Sequence, residues 1–325
     1  MSNANVTRIG QINGAGGVDE LFLKLFSGEV LTAFETANVM MDKHLVKTIT
    51  AGKSTQFPRF GKTAAQYHTP GTELLGMNQM RQAEVTITID DLLVTHEFIA
   101  NIDEAKAHYD ARSIYSTAMG RALANQMDRH LLQLGIIAAR SPNVVTGLPG
   151  GSVIYTNSTG APPSADFLNN GEHLAHAIFL AAQELDEKDV PEEDRYCVVR
   201  PAQYYALVRA KDNINRDWGG LGSYAEGDIM RIAGVRIVKC NQFPRANVAN
   251  NTVDAGTGNK YAGNFANTAA LVFHKTALAT VKLFDLGMEA EYQISRQGTL
   301  MVAKYAVGHG ILRPESAVEI RNAAL

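Results

Sequence analysis

The chain has 325 residues, 46% of them hydrophobic and 19% charged, with a formal net charge of −3 and two cysteines. That supplies apolar material for one or two domains with a substantial core. The balanced charge implies no strongly electrostatic partner: a chain that condensed nucleic acid would usually carry a basic arm, and residues 1–10 hold one arginine and no lysine.

No apolar run reaches the roughly 18 residues of a membrane helix, and residues 1–20 carry no signal-like apolar stretch. The sequence therefore reads as a protein made in the cytosol with no membrane route. Cys197 and Cys240 lie far apart in apolar, strand-like runs, the pattern of buried reduced thiols rather than a disulfide framework.

In chain order, residues 1–18 are polar and glycine-rich and read as a flexible arm. Asp19 is placed to cap a short helix reaching about residue 37, with a break near Ser27-Gly28. Residues 46–49 look like a strand entry, and 85–90 alternate at period two. Between them lies a stretch rich in Gly, Pro and Thr, so 45–90 reads as an extended hairpin. Its large apolar residues Phe57, Phe60, Leu74 and Leu75 follow no core-forming period. An isolated two-stranded ribbon is marginal in water, so this one is expected to lean on something else, namely neighbouring copies.

Residues 103–140 carry the strongest helical pattern. Met119, Leu123, Met127, Leu131, Leu134 and Ala138 recur at three and four, Asp103 and Glu104 sit near the start, and Arg140 and Pro142 mark the end. Such a helix spans about 50 Å or more, the length of a structural spine. Residues 141–165 read as a loop or short hairpin, 165–187 as an amphipathic helix, 195–200 as a strand, and 201–210 as a helix opened by Pro201. A glycine-rich loop with Trp218 follows, then a hairpin over 229–239 around Gly234 and an exposed loop over 245–268. Strands are expected over 269–273, within 292–308 and over 317–320, with a helical turn near 274–279.

Candidate chemistry is thin. Gly52-Lys53-Ser54 lacks the upstream glycine of a phosphate loop, since position 47 is lysine, and strand-like sequence with Pro58 follows. His173 and His176 are three apart beside Glu172, but no HExxH or CxxC supplies the further ligands of a metal site. No GxSxG elbow or GxGxxG fingerprint is present. No catalytic residue, metal or cofactor is expected. Charge segregates instead: Lys47, Lys53, Arg59, Lys62 and Arg81 dominate the hairpin, while Glu184, Asp186, Glu187, Asp189, Glu192, Glu193 and Asp194 cluster elsewhere. Each cluster reads as a solvated face, and their opposite sign would also suit subunit contact, setting register more than affinity.

Five tracts carry a resemblance. They are Leu25-Phe26-Ser27-Gly28-Glu29-Val30-Leu31-Thr32-Ala33-Phe34; Gly52-Lys53-Ser54-Thr55-Gln56-Phe57-Pro58 with Pro70-Gly71; Ile87-Thr88-Ile89-Asp90-Asp91-Leu92-Leu93; His108-Tyr109-Asp110-Ala111-Arg112-Ser113; and Ala303-Lys304-Tyr305-Ala306-Val307-Gly308-His309-Gly310-Ile311-Leu312-Arg313-Pro314-Glu315. Collinear from near one end to near the other, they resemble the major capsid protein of T-7-like podophages; residues 141–290 match more loosely.

The resemblance implies an α+β fold of the HK-97 type. The N-terminal arm would be 1–45, the extended β-hairpin loop 46–90, a peripheral domain with the spine helix 91–144, the axial domain 145–265 and a return to the peripheral domain 266–325. It implies self-assembly into pentamers and hexamers of an icosahedral shell around double-stranded DNA bound without sequence specificity. A scaffolding protein and a portal protein would be partners, and the family leaves room for a decoration protein. The protein would reside in the virion after assembly in the host cytoplasm. Lys53, Arg59, Lys62 and Arg81 are expected at an intersubunit contact. Two other readings stay open: a cellular nanocompartment shell of the same fold, and a cytosolic α/β enzyme with a site within 145–265.

Overall fold

The computed structural model describes residues 38–63, 65, 67–73, 80–106, 111–143, 145, 147–156, 166–210 and 231–322. The arm and short helix expected before residue 38, Leu74 and Leu75, and the loop holding Trp218 lie outside the described residues. The chain divides into two compact units. Of the described residues, one gathers Asn38 with those of Asp91–Met127 and Phe284–Val307; the other gathers those of Val39–Asp90, Asp128–Leu283 and Gly308–Asn322.

In the first unit, strand β4 (Leu93–Ala100) pairs antiparallel with the first part of β13 (Gly298–Ile311), in register from Ala100 opposite Gly298 to Leu93 opposite Tyr305. β13 follows β12 (Leu278–Gln293) through a tight turn at Ile294–Arg296. Helix α1 (Asn101–Lys106) leaves β4 directly, and the first seventeen residues of α2 (Ala111–Arg140) belong here. Met119, Leu123 and Met127 of the predicted stripe are buried with Phe98, Ile99, Met301 and Ala303. The Tyr305 hydroxyl donates to Met127 Sδ at 3.3 Å. Of the helix expected over 103–140, the described residues are helical over Asn101–Lys106 and Ala111–Arg140, and Asp103, placed by the sequence near its start, is buried.

The second unit is built on a six-stranded sheet. Its strands are β5 (Ser152–Tyr155), β6 (Arg195–Val199), β7 (Arg231–Ile232), β8 (Val235–Lys239), β11 (Thr268–His274) and β14 (Ala317–Arg321), in the order β5-β14-β11-β6-β8-β7. β14 and β6 flank β11 antiparallel, β5 and β8 extend the sheet in parallel, and β7–β8 is the predicted hairpin.

Every residue of β11 is buried, as expected for a strand covered on both faces. One face receives α3 (Gly171–Glu187) and α4 (Pro201–Arg209), whose Leu174, Ile178, Ala181, Leu185 and Leu207 pack with Val199, Val272 and Ile320. Asn170 caps α3 by accepting from the Glu172 and His173 N–H groups at 2.9 and 3.4 Å. On α2, a Cβ at Gly135 would lie 2.5 Å from the Leu271 side chain of β11.

Residues 131–136 of α2 are buried on every side, and Arg140 ends the helix with a two-pronged ion pair to buried Glu319 of β14, at 2.6 and 2.7 Å. β11 and β14, expected in a return to a peripheral domain, are thus the inner strands of this sheet. A boundary at residue 265 divides one core, because the sheet needs both halves to bury its centre.

The stretch 245–268 also departs from expectation. It holds a small ladder of β9 (Asn247–Val248) and β10 (Gly263–Asn264), and Ala255, Tyr261 and Phe265 are buried. It is a tethered loop, not a wholly exposed one.

Candidate assembly surface

β2 (Ser54–Phe60) and β3 (Gln82–Thr88) form the predicted ribbon, antiparallel from Ser54 opposite Thr88 to Phe60 opposite Gln82. Ile89 N–H donates to the Lys53 carbonyl at one end, and Gly61 N–H to the Arg81 carbonyl at the other, both at 2.8 Å. Successive side chains alternate between faces. Thr55, Phe57 and Arg59 share one face with Ala83, Val85 and Ile87, all less exposed than their neighbours.

That face has a footing within its own unit. Ile87 packs with Ala279 and Val281, supported by Phe57, Val85, Ile89, Leu312, Leu45 and Ile49. The last two flank or lie in β1 (Leu45–Thr48), which pairs in parallel with the start of β12. The approach is close: a Cβ on Gly308 would lie 2.1 Å from the Thr88 carbonyl oxygen, and one on Gly310 2.5 Å from Ile87. The expectation that the ribbon's apolar residues are too dispersed to anchor it within its own chain is corrected. They act together with residues from distant parts of the sequence.

The four basic residues separate accordingly. Arg59 is buried and ion-paired to buried Glu315. Lys62 pairs with Asp189, with both side chains exposed. Lys53 and Arg81 are exposed at the two ends of the ribbon. The opposite face and distal end present Phe60, Tyr67 and Met80 to solvent, with Tyr67 fully exposed.

The end of the ribbon is held by groups the sequence reading passed over. Asp90 accepts from the Tyr261 hydroxyl and from Lys260 Nζ, the latter at 3.2 Å. Tyr261 stacks on His130 with centroids 4.3 Å apart and meets His309 edge-on at 6.2 Å. His309 Nδ1 shares a 2.8 Å hydrogen bond with the Thr280 hydroxyl. Burial, then the Asp90 charge, raises Tyr261 well above the ordinary phenol range, and burial pushes His309 well below the ordinary imidazole range. Both shifts favour the neutral forms of Tyr261 and His309 beside the Lys260–Asp90 pair. The signal lay in two aromatics, Tyr261 and Phe265, within an otherwise polar loop.

The remaining candidates carry no visible chemistry. Gly52-Lys53-Ser54 is a turn with Gly52 at φ +116°, and it leads into β2, not into a helix. His173 Nδ1 accepts from the Asp166 N–H at 3.2 Å, and His176 is exposed. No group of three potential metal ligands occurs among the described residues. Burial raises the Cys197 and Cys240 thiols to about 12 and about 11, far from a reactive thiolate. Part of the acidic cluster is engaged within the chain, as Asp186 with Arg195 at 2.7 Å and Glu184 with Ser152 at 2.8 Å. Two open clefts, of about 690 and 440 Å³, lie in the second unit.

A family model described as Gp10A-like major capsid protein matches residues 56–321. The chain belongs to the Gp10A-like family of major capsid proteins. This capsid protein is 34% identical to the major capsid protein of Escherichia phage T7 over 319 residues, covering 93% of this chain and 92% of that one. It is 32% identical to that of Enterobacteria phage T3, with 94% and 93% covered. Among solved structures, the capsid of Cyanophage P-SCSP1u matches at 44% identity and a TM-score of 0.81, with both chains covered completely. The mature capsid of bacteriophage PhiM1, at 20% identity and 0.75, shares the fold. The fold is thus the α+β phage-capsid fold of HK-97 type, and the protein is a phage major capsid protein and a component of the virion shell.

Proposed function

We propose that copies of this chain assemble into pentamers and hexamers of an icosahedral shell enclosing double-stranded DNA. The ribbon is the principal bridge between copies in this reading. The observation that carries it is the ribbon's two-sidedness. One face is held down by Ile87, Phe57 and the Arg59–Glu315 pair, while the other offers exposed Phe60, with Tyr67 and Met80 exposed beyond the strands. Large apolar groups left in water on a firmly rooted projection call for a partner surface.

Lys53, Lys62 and Arg81 serve as contact residues, and Arg59 holds the ribbon that carries them. The Lys62–Asp189 pair is exposed and therefore weak, so it can exchange for a neighbour's carboxylate at little cost. Individually weak contacts suffice once ring closure makes later ones intramolecular. A scaffolding protein, a portal protein and a decoration protein are proposed partners, with assembly in the host cytoplasm before DNA enters.

The test is co-expression of Lys53→Glu/Arg81→Glu with a scaffolding protein, followed by electron microscopy. The expected outcome is a soluble protein with the wild-type melting temperature and severalfold fewer shells. Shells at wild-type yield would remove both side chains from the contact.

A further inference from the structure

We propose that Val39–His44 is a strap poised to lift from the second unit, held by two buried polar groups, Asp128 and His44, that its release would return to water. The strap is turn and bend, without helix or strand, and β1 follows it. Met40, with 0% relative exposure, is its apolar anchor. Lys43 ties the strap to itself, donating from its N–H to the Met40 carbonyl at 3.1 Å and from Nζ to the Val39 carbonyl at 2.6 Å. The strap meets α2 at Asp128, whose two carboxylate oxygens each accept one N–H, from Val39 and from Met40. Val39 is the first residue of the second unit, so release gives the chain slack at the point where it enters that unit.

Both holding groups are poorly matched to their burial. Asp128 is 1% exposed, and among the described residues no cation stands within ion-pair distance of it. A buried carboxylate without a cation is costly. His44 is 2% exposed; its Nδ1 lies 2.7 Å from the Met40 carbonyl, while Nε2 meets no partner. A buried nitrogen of that kind loses its hydration without replacement. Lifting the strap hydrates both groups, which favours release and opposes the burial of Met40. Lys43 and the Cys240 thiol face Asp128; Lys282, Lys275, Asp42 and His309 face His44.

The two groups answer acid with opposite signs. Burial raises Asp128 from 3.8 to about 6, so the seated strap takes up the proton first and acid holds it down. Burial lowers His44 from 6.5 to about 4, so the lifted strap takes up the proton first and acid favours release. From pH 7.5 to 5 the Asp128 effect alone lowers the release equilibrium about tenfold and the His44 effect alone raises it about thirtyfold, leaving a net rise of about threefold. Release is thereby kept nearly indifferent to acidity.

Amide hydrogen exchange of the unassembled full chain, corrected for the intrinsic effect of pH, tests this. The wild-type Val39 and Met40 amides are expected to exchange about a hundredfold faster, or more, than those of Leu271 and Val272 in β11, with a release equilibrium that changes about threefold or less from pH 7.5 to 5. Protection equal to that of β11 would overturn the inference with no variant needed. Asp128→Asn, which keeps one accepting oxygen, leaves His44 uncompensated, so release should rise about thirtyfold on going to pH 5. His44→Asn, which keeps a donor for the Met40 carbonyl, should make release fall about tenfold instead. Slopes of the same sign in the two variants, or no slope in either, would mean that these groups do not hold the strap, and the inference fails.

Discussion

Arg59 illustrates how one side chain's role follows from its parity along a strand. In the sequence it belongs with Lys53, Lys62 and Arg81 as a basic residue on a projecting hairpin. In the structure it shares the inward face with Phe57, two residues away, and reaches Glu315 in the turn Pro314–Ser316. Its Nε and Nη1 meet no partner among the described residues. The pair is therefore buried but incompletely hydrogen-bonded, a situation in which removing one ion is far worse than removing both. Arg59→Glu, which sets two carboxylates together, should destabilise the unassembled protein by ~3–5 kcal/mol, and Arg59→Met/Glu315→Leu should come within about 1–2 kcal/mol of wild type. Urea unfolding of both variants checks this; equal losses would mean that the pair does not control the ribbon's footing. The inward parity of Arg59 was legible once the strand was drawn. Its acceptor was not, because the two residues are 256 positions apart.

Among the elements, α2 was the most legible, because its apolar residues recur at helical spacing for five turns and the sheet and strands they meet do not alter that period. All six stripe residues are buried. Met127 takes the Tyr305 hydroxyl on its sulfur, so Met127→Asp places a carboxylate against that contact with no cation designed to meet it. A loss of about 3 kcal/mol or more follows, whereas Ala122→Asp, at an exposed position of the same helix, should melt within a degree or two of wild type. Similar losses for both would dissolve the assignment of the stripe. β4 and β12 escaped the sequence reading for a shared reason. In β12, Leu278 to Lys282 are buried whereas Phe284 and residues 289–293 are mostly exposed. In β4, exposure alternates only as far as Phe98 and Ile99, which are both buried. A strand whose surroundings change along its length has no single period to read. The candidate surface was legible as a projecting charged hairpin, while its anchoring cluster depends on segments that meet only in the folded chain.

For the whole molecule, the pH dependence of stability turns on a near-cancellation. Burial lowers His44 from an ordinary 6.5 to about 4. Its folded state favours the neutral ring, so stability is full above pH 6.5 and is lost as pH falls toward 4, by about 3 kcal/mol at ~1.4 kcal/mol per pH unit. Asp128 accepts the Val39 and Met40 N–H groups at 2.7 and 3.1 Å, yet burial still raises it from 3.8 to about 6. Its folded state takes up a proton first, so stability grows as pH falls from 6 to 3.8, by a similar ~3 kcal/mol. The two nearly offset each other, and the net acid sensitivity is left to His309, His130 and His274, all lowered chiefly by burial. Each subtracts stability below pH 6.5. The unassembled protein should therefore lose melting temperature steadily between pH 6.5 and 4, and Asp128→Asn, which cannot gain the compensating proton, should lose it faster, by an additional ~3 kcal/mol at pH 4. Thermal melts of both proteins across that range decide the matter. Parallel curves would mean that Asp128 stays ionised in the fold and that the offset does not exist.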